Sequence, residues 1–311
     1  MPTPPSPSHP ATPAARVRAS GPRAVLTRTS AGQRGRRQLK ALSARTVRTT
    51  SPLRMLPDFL IVGAQRSGTT TMFKTLAQHP GVARPFLQKG VHYFDKRYDL
   101  GLDWYRGNFP VAATSRVRRL GARPLVYESS PYYLFHPLAG QRIARDLPGV
   151  KLLVVLRDPV ERAYSGHSHE LGRGYESESF ERAVELEPER IAGEREHMLA
   201  DPTYDSVHWQ HHAYVTRGQY HEQLVALEAL VGRDRLHVVD SDDFWQRPAD
   251  VFGGVLRFLG LPEHPGTVFE QHNARARSPL PAPLRTRLQE HFAPHDERLA
   301  NWWGHLPSWR R

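Results

Sequence analysis

The stretch from Pro57 to Pro80, PDFLIVGAQRSGTTTMFKTLAQHP, most narrows what this chain can fold into. Its apolar run Phe59-Leu60-Ile61-Val62 is short and β-branched, which predicts a buried parallel strand ended by Gly63. A helix is expected over Thr71 to Gln78, with Met72, Phe73 and Leu76 on one side and Pro80 as its stop. Strand, glycine-bounded loop and helix together aim backbone N–H groups and a helix dipole at an anion. The spacing Gly63-x4-Gly68 matches the first part of a nucleotide P-loop, but Thr69 stands where that motif has lysine. Arg66 is the loop's cation. Such a loop suits one phosphate group better than a magnesium triphosphate; the alternative is a strand-to-helix turn that binds nothing.

Charge bears on the choice of partner. The chain has 311 residues and a formal net charge of +12 from 43 basic and 31 acidic residues, which by itself suggests a polyanion partner. Residues 1–57 hold eleven of the basic residues and no acid, leaving 32 basic against 31 acidic residues, a net of +1, for the remainder. Nucleic acid is therefore not required. The segment 1–56 is rich in Pro, Ser, Thr, Ala and Arg, too poor in apolar area to offset chain entropy, and is expected to be a disordered basic tail. Its composition also fits an organellar transit peptide, against which its prolines argue, favouring a nonfunctional extension. No apolar run is long enough for a transmembrane helix, no signal-peptide core precedes the domain, and there is no cysteine. A soluble, cytoplasmic protein is the expectation, with a domain over 57–311.

Further strands are expected at Leu125–Glu128, Val150–Leu156 and Leu236–Val239. Helices are expected at Leu138–Leu147, Val160–Leu171, Gln219–Val231, Ala249–Leu259 and around Leu284–Phe292. Alternating strands and helices imply an α/β fold of the P-loop type, three layers with a mostly parallel central sheet flanked by helices. Ligands in such folds sit at the carboxyl ends of strands, which places Gly63–Thr70, Glu128–Pro131 and Arg157–Ser165 on one rim. Arg157 ends the strongest strand and Ser165 lies about two helical turns on. A guanidinium plus a hydroxyl suits a second phosphate; otherwise Arg157 pairs with Asp158 or Glu161. A zinc site from His211 and His212 is disfavoured by their adjacency, and Asp240, Asp242 and Asp243 lack the Gly and distal Glu of a calcium loop. Trp104, Tyr105, Tyr132 and Tyr133 are either acceptor-stacking aromatics or core.

Together these segments resemble the sulfotransferases that use 3′-phosphoadenosine 5′-phosphosulfate (PAPS), in particular the heparan-sulfate-type and related bacterial carbohydrate branch. GAQRSGTT is similar to their 5′-phosphosulfate loop and VKLLVVLRDPVERAYSGHSHE to their 3′-phosphate segment. KGVHYFD, LGLDWYRGNFP, YESSPYY, RGQYHEQL and FLGLPE resemble further blocks, so that the likeness runs from Pro57 to Leu306. It implies transfer of a sulfuryl group from PAPS to a hydroxyl or amine of a small-molecule or glycan acceptor, a glycan being expected, with adenosine 3′,5′-bisphosphate as product and no metal. It further implies a cofactor-binding set of Gln65, Arg66, Ser67, Gly68, Thr69, Thr70, Arg157 and Ser165, joined by Arg275 and Arg277 of a basic loop. Arg66 would stabilise the leaving bridge, the helix N-terminus would hold the 5′-phosphate, and Arg157 with Ser165 would hold the 3′-phosphate.

One position departs from that family. Its catalytic-base glutamate falls where this chain has Gly90, which cannot do acid–base work. His92 is the candidate replacement, oriented by Asp95 or Glu128, unless it is a packed histidine between Val91 and Tyr93. Lys89 would place the acceptor or share charge stabilisation. The catalytic candidates are thus Arg66, His92, Lys89 and Glu128. The departure keeps an alternative open, a non-catalytic nucleotide- or polyanion-binding protein of the same fold.

Overall fold

Among the residues described by the computed structural model (50–86, 88–113, 123–270 and 279–311), five strands form one all-parallel sheet. In chain order they are β1 (Phe59–Gly63), β2 (Val82–Ala83), β3 (Leu125–Ser129), β4 (Lys151–Leu156) and β5 (Leu236–Asp240), lying side by side as β2-β3-β1-β4-β5. The helices that bear on the site and its supports are α1 (Thr69–Leu76), α2 (Tyr93–Lys96), α3 (Leu102–Arg106), α4 (Ala139–Asp146) and α5 (Pro159–Arg173). They are followed by α6 (Phe180–Ile191), α7 (Glu194–Ala200), α8 (Val207–His211), α9 (Tyr220–Val231), α10 (Ser241–Gln246), α11 (Pro248–Leu259) and α12 (Ala282–Trp303).

The unbroken apolar strands follow from burial on both faces. All five residues of β1 are buried, and successive residues feed opposite cores. Leu60, Val62, Leu152 and Val154 pack with Ile143 of α4 and Leu224 and Leu227 of α9. Phe59, Ile61, Leu153 and Val155 pack with Met72 and Leu76 of α1 and with Phe252, Val255 and Leu256 of α11. Each such side chain contributes about 1.5–3 kcal/mol of burial, so the three expected layers are held from both sides.

The connections decide where a site forms. After β1 the chain builds the β2–β3 side of the sheet, then crosses to β4 and β5 on the other side. Loops leaving β1 and its neighbours therefore diverge and open a crevice at the carboxyl end of β1. Gly63 ends β1 for a steric reason: a Cβ there would lie 2.5 Å from Leu134 Cβ, because Leu134 N–H donates to Val62 O at 2.9 Å.

Three boundaries differ from expectation. Residues 50–56, tail-like in composition, are anchored: Ser51 Oγ donates to Asp103 at 2.8 Å and Met55 N–H to Pro110 O at 2.9 Å, with Met55 buried. These specific anchors, invisible in composition, attach the segment to α3 and the strip after it. Helix α1 begins at Thr69, two residues early, since Gly68 (φ +96°) supplies the left-handed turn into it. Helix α12 continues through Pro294 to Trp303, where proline would ordinarily end a helix, because Leu284, Leu288, Phe292 and Leu299 bury one face along its length. No helix among the described residues is long and apolar enough to cross a membrane.

Candidate active site

The loop between β1 and α1 ends at a helix N-terminus. The first helical bond of α1 runs from Met72 N–H to Gly68 O (3.1 Å), so the amides of Thr69 and Thr70 precede the ladder and stand at the positive end of the helix dipole. Arg66 sits at φ +72°, a conformation that non-glycine residues hold at a cost and that clusters at functional sites. Its Nε donates to Ser165 Oγ at 3.1 Å. The β1–α1 loop and the α5 segment, 99 residues apart in sequence, are thus joined directly. Ser165 is buried, and its hydroxyl is the acceptor that orients Arg66.

Arg157 lies where β4 ends, its carbonyl accepting from Tyr220 OH at 2.8 Å. Asp158 caps α5 by accepting from Val160 N–H, with Pro159 at the first position, so the turn that presents Arg157 is the one the residues predict. The Arg157 guanidinium is 3.5 Å from Glu161, which also pairs with Arg285 at 2.5 Å. The competing ion pair foreseen in the sequence is therefore present, and any anion at Arg157 shares it with Glu161.

The residues at positions 89–95 complete the rim. Lys89 Nζ donates to Thr69 Oγ1 and Thr70 Oγ1, both at 3.0 Å, and Lys89 O accepts from Ser129 N–H at 3.0 Å. Its pKa is lowered to about 7: lost hydration dominates, the Glu128 charge opposes and Arg66 reinforces the shift. His92 adopts φ +55° and begins α2; its N–H donates to Ser130 Oγ at 3.0 Å. Its Nδ1 is 2.8 Å from Asp95 Oδ2, whose carboxyl side chain is fully buried, while the imidazole is 37% exposed. Burial pulls the His92 pKa down, but the hydrogen bond and charge of Asp95, helped by the Glu128 charge, outweigh it and raise the value.

Glu128 plays a different part from the one expected. Its carboxylate is wholly buried at the end of β3 and accepts from Ser130 Oγ (2.7 Å), Tyr133 OH (2.8 Å), Val91 N–H (3.2 Å) and Tyr105 OH (3.3 Å). Burial raises its pKa despite these bonds. Asp95, not Glu128, makes the hydrogen bond to His92. Glu128 is instead the pin that ties Val91, α3 and the 130–133 turn to the sheet rim. Tyr105, Tyr132 and Tyr133 are buried, so these three are core and network residues, not stacking platforms, because their hydroxyls or rings are engaged inside the fold. Trp104 is only partly buried and stacks under Arg97.

Gly90 explains why no side chain occupies that position. A Cβ there would meet Ser129 O at 2.6 Å, Ser130 Oγ at 3.0 Å and His92 Nε2 at 3.3 Å. The imidazole edge of His92 thus borders the space into which a residue-90 side chain would start.

Other predicted residues separate cleanly. Gln65 Oε1 accepts from Arg217 Nη1; Ser67 is buried in the loop. Arg275 and Arg277 lie outside the described residues. His211 bonds Glu170 at 2.8 Å and His212 bonds Tyr175 O at 2.8 Å, each turned to a different partner. Asp240 caps α10 through the amides of Asp242 and Asp243. Arg217 was missed by sequence reasoning, although it lies in the block RGQYHEQL. It is buried, stacks over Phe135 (4.7 Å), donates to Trp209 O and Gln210 O, and its pKa falls to about 10, chiefly through burial. Nothing in the local sequence announces it; the crowding beside it exists only in the fold, where a Cβ at Gly218 would lie 2.8 Å from the Phe292 ring.

With this geometry in view, comparisons with known proteins are specific. The family described as "Sulfotransferase domain" matches residues 56–277. The bifunctional heparan sulfate N-deacetylase/N-sulfotransferase 1 of Caenorhabditis elegans is 26% identical over 215 residues, covering 68% of this chain and 23% of that protein. Heparan sulfate glucosamine 3-O-sulfotransferase 5 of Homo sapiens is 26% identical over 223 residues, covering 71% of this chain and 58% of that protein. The chain therefore spans under a quarter of the nematode protein and under two thirds of the human one. A sulfotransferase structure from Alicyclobacillus acidocaldarius aligns with a TM-score of 0.59 at 29% identity, covering 83% of this chain and 100% of its own.

Proposed function

The chain belongs to the sulfotransferase family, and from that premise we propose that it moves the sulfuryl group of PAPS to a hydroxyl or amine of a glycan acceptor. The observation that carries this reading is the convergence on one rim of the α1 N-terminus, the Arg66–Ser165 contact and the His92–Asp95 pair. PAPS supplies an activated sulfate whose bridging oxygen leaves with the 5′-phosphate. Arg66, fixed by Ser165, holds positive charge beside the loop where that oxygen gains charge. The amides of Thr69 and Thr70 bind the 5′-phosphate. Arg157 binds the 3′-phosphate, which separates PAPS from ATP. His92 takes the proton of the attacking hydroxyl or amine as the new bond to sulfur forms and the bond to the bridging oxygen breaks. Asp95 holds the imidazole in the tautomer that directs Nε2 outward and stabilises the imidazolium that results.

The glycan assignment draws on the heparan-sulfate names of the relatives above. The reading is tested by incubating the full chain with sulfur-labelled PAPS and a panel of N-deacetylated and N-acetylated heparan-type glycans, with phenols as a comparison. Label transfer to a glycan is the expected result. Binding of adenosine 3′,5′-bisphosphate without transfer to any acceptor would favour the non-catalytic alternative, whose one support is the glycine at position 90. Equal thermal stabilisation by magnesium ATP and the bisphosphate would overturn the PAPS assignment.

A further inference from the structure

The loop has threonine at position 69, where a nucleotide P-loop places the lysine that reaches the phosphates. The hydroxyl of that same threonine accepts a hydrogen bond from a lysine belonging to another segment. Lys89 Nζ lies 3.0 Å from Thr69 Oγ1 and 3.0 Å from Thr70 Oγ1, at the first turn of α1. Its backbone is pinned to β3 through the Ser129 N–H to Lys89 O bond, so the side chain reaches the helix N-terminus from the adjoining rim. Crowding at Gly90 confines the residue that follows it. An ammonium placed by a fixed backbone against the anion-receiving end of a helix complements an anion at that end.

We propose that Lys89 supplies from outside the loop the cation that position 69 lacks, and that its ammonium binds the 5′-phosphosulfate end of the donor at the N-terminus of α1. The proposal rests on the PAPS reading above and makes Lys89 a donor-binding residue, not an acceptor-placing one. The charged groups facing Lys89 are Arg66 from the loop and Glu128 from the end of β3. Arg66 and burial disfavour its charged form, Glu128 favours it, and a bound phosphate adds negative charge. Donor binding at pH 8 is then accompanied by proton uptake at Lys89.

The test is calorimetric titration of the full chain with two ligands, adenosine 3′,5′-bisphosphate and adenosine 3′-monophosphate, which lacks the 5′ group. Lys89→Met is expected to weaken bisphosphate binding at least tenfold and to leave 3′-monophosphate binding within twofold, which also shows that the variant is folded. Lys89→Arg is expected to recover most of the affinity. In buffers of different ionisation enthalpy at pH 8, wild type is expected to take up more protons with the bisphosphate than Lys89→Arg does. Equal weakening of both ligands by Lys89→Met, no weakening of either, or equal proton uptake in wild type and Lys89→Arg would overturn the assignment while leaving the PAPS reading intact. Failure of wild type to bind the bisphosphate at all would overturn both.

Discussion

His92 Nδ1 and Asp95 Oδ2 are 2.8 Å apart across the first turn of α2, the imidazole at the surface and the carboxylate beneath it. The pair gives His92 a raised pKa and a fixed ring orientation. Transfer needs the neutral imidazole, so turnover is expected to rise with pH through that raised value. Asp95→Asn removes the anion and should move the inflection to lower pH. His92→Ala should lower kcat by about 10²–10⁴-fold, the range for a lost general base, with bisphosphate affinity little changed. Near-full turnover in His92→Ala at saturating acceptor would exclude the role.

The same pair makes a stability prediction of definite sign. The folded pKa lies above the ordinary value of 6.5, so the folded state binds the His92 proton more tightly. The stabilisation is complete below the unfolded value and is lost as pH rises through the folded one. Denaturant unfolding of wild type and His92→Ala across that window should converge toward the alkaline side.

Gly90 resists the glutamate that the family resemblance implies at this position. A Cβ meets a backbone oxygen, Ser129 O, at 2.6 Å, and overpacking of this kind costs about 1–3 kcal/mol. Gly90→Ala is expected to lower the melting temperature, and Gly90→Glu to lower it further without raising turnover.

Arg157 should report on the 3′-phosphate alone. Arg157→Ala is expected to weaken adenosine 3′,5′-bisphosphate about 10–100-fold, the range for a charge-assisted hydrogen bond, and to spare adenosine 5′-monophosphate. Glu161→Gln, which removes the carboxylate 3.5 Å from Arg157, should tighten the bisphosphate. Titration of both ligands against each variant measures these effects.

Glu128 is expected to matter through the fold. Three of its four donors are hydroxyls that can turn to accept, so Glu128→Gln should cost little at neutral pH, whereas Glu128→Ala strands buried groups and should cost on the order of 3 kcal/mol. Because burial raises its pKa, its stabilising contribution is largest below the ordinary value of 4.5 and declines as pH rises through the raised value. Thermal melts from pH 4 to pH 8 on the three proteins separate these outcomes.

What the sequence alone determined was local and periodic. The apolar runs ending at Gly63, Glu128 and Leu156 placed the strands, and with them the rim on which Arg66, Glu128 and Arg157 sit, because a doubly covered parallel sheet leaves a direct apolar signature. Asp158-Pro159 marked the start of α5 by capping chemistry. What tertiary structure decided was which side chains meet. Asp95 rather than Glu128 holds His92, since helix α2 brings position 95 beneath position 92 while the 130–133 turn surrounds Glu128 with donors. Arg217 reaches Gln65 across 152 residues with no local pattern to announce it. Lys89 lies 20 residues beyond Thr69 in the chain and yet bonds its hydroxyl, because β3 draws that segment against the rim. Spacing along a chain encodes strands and caps; the distance between an ammonium and a distant hydroxyl is set by the packing of the elements that carry them.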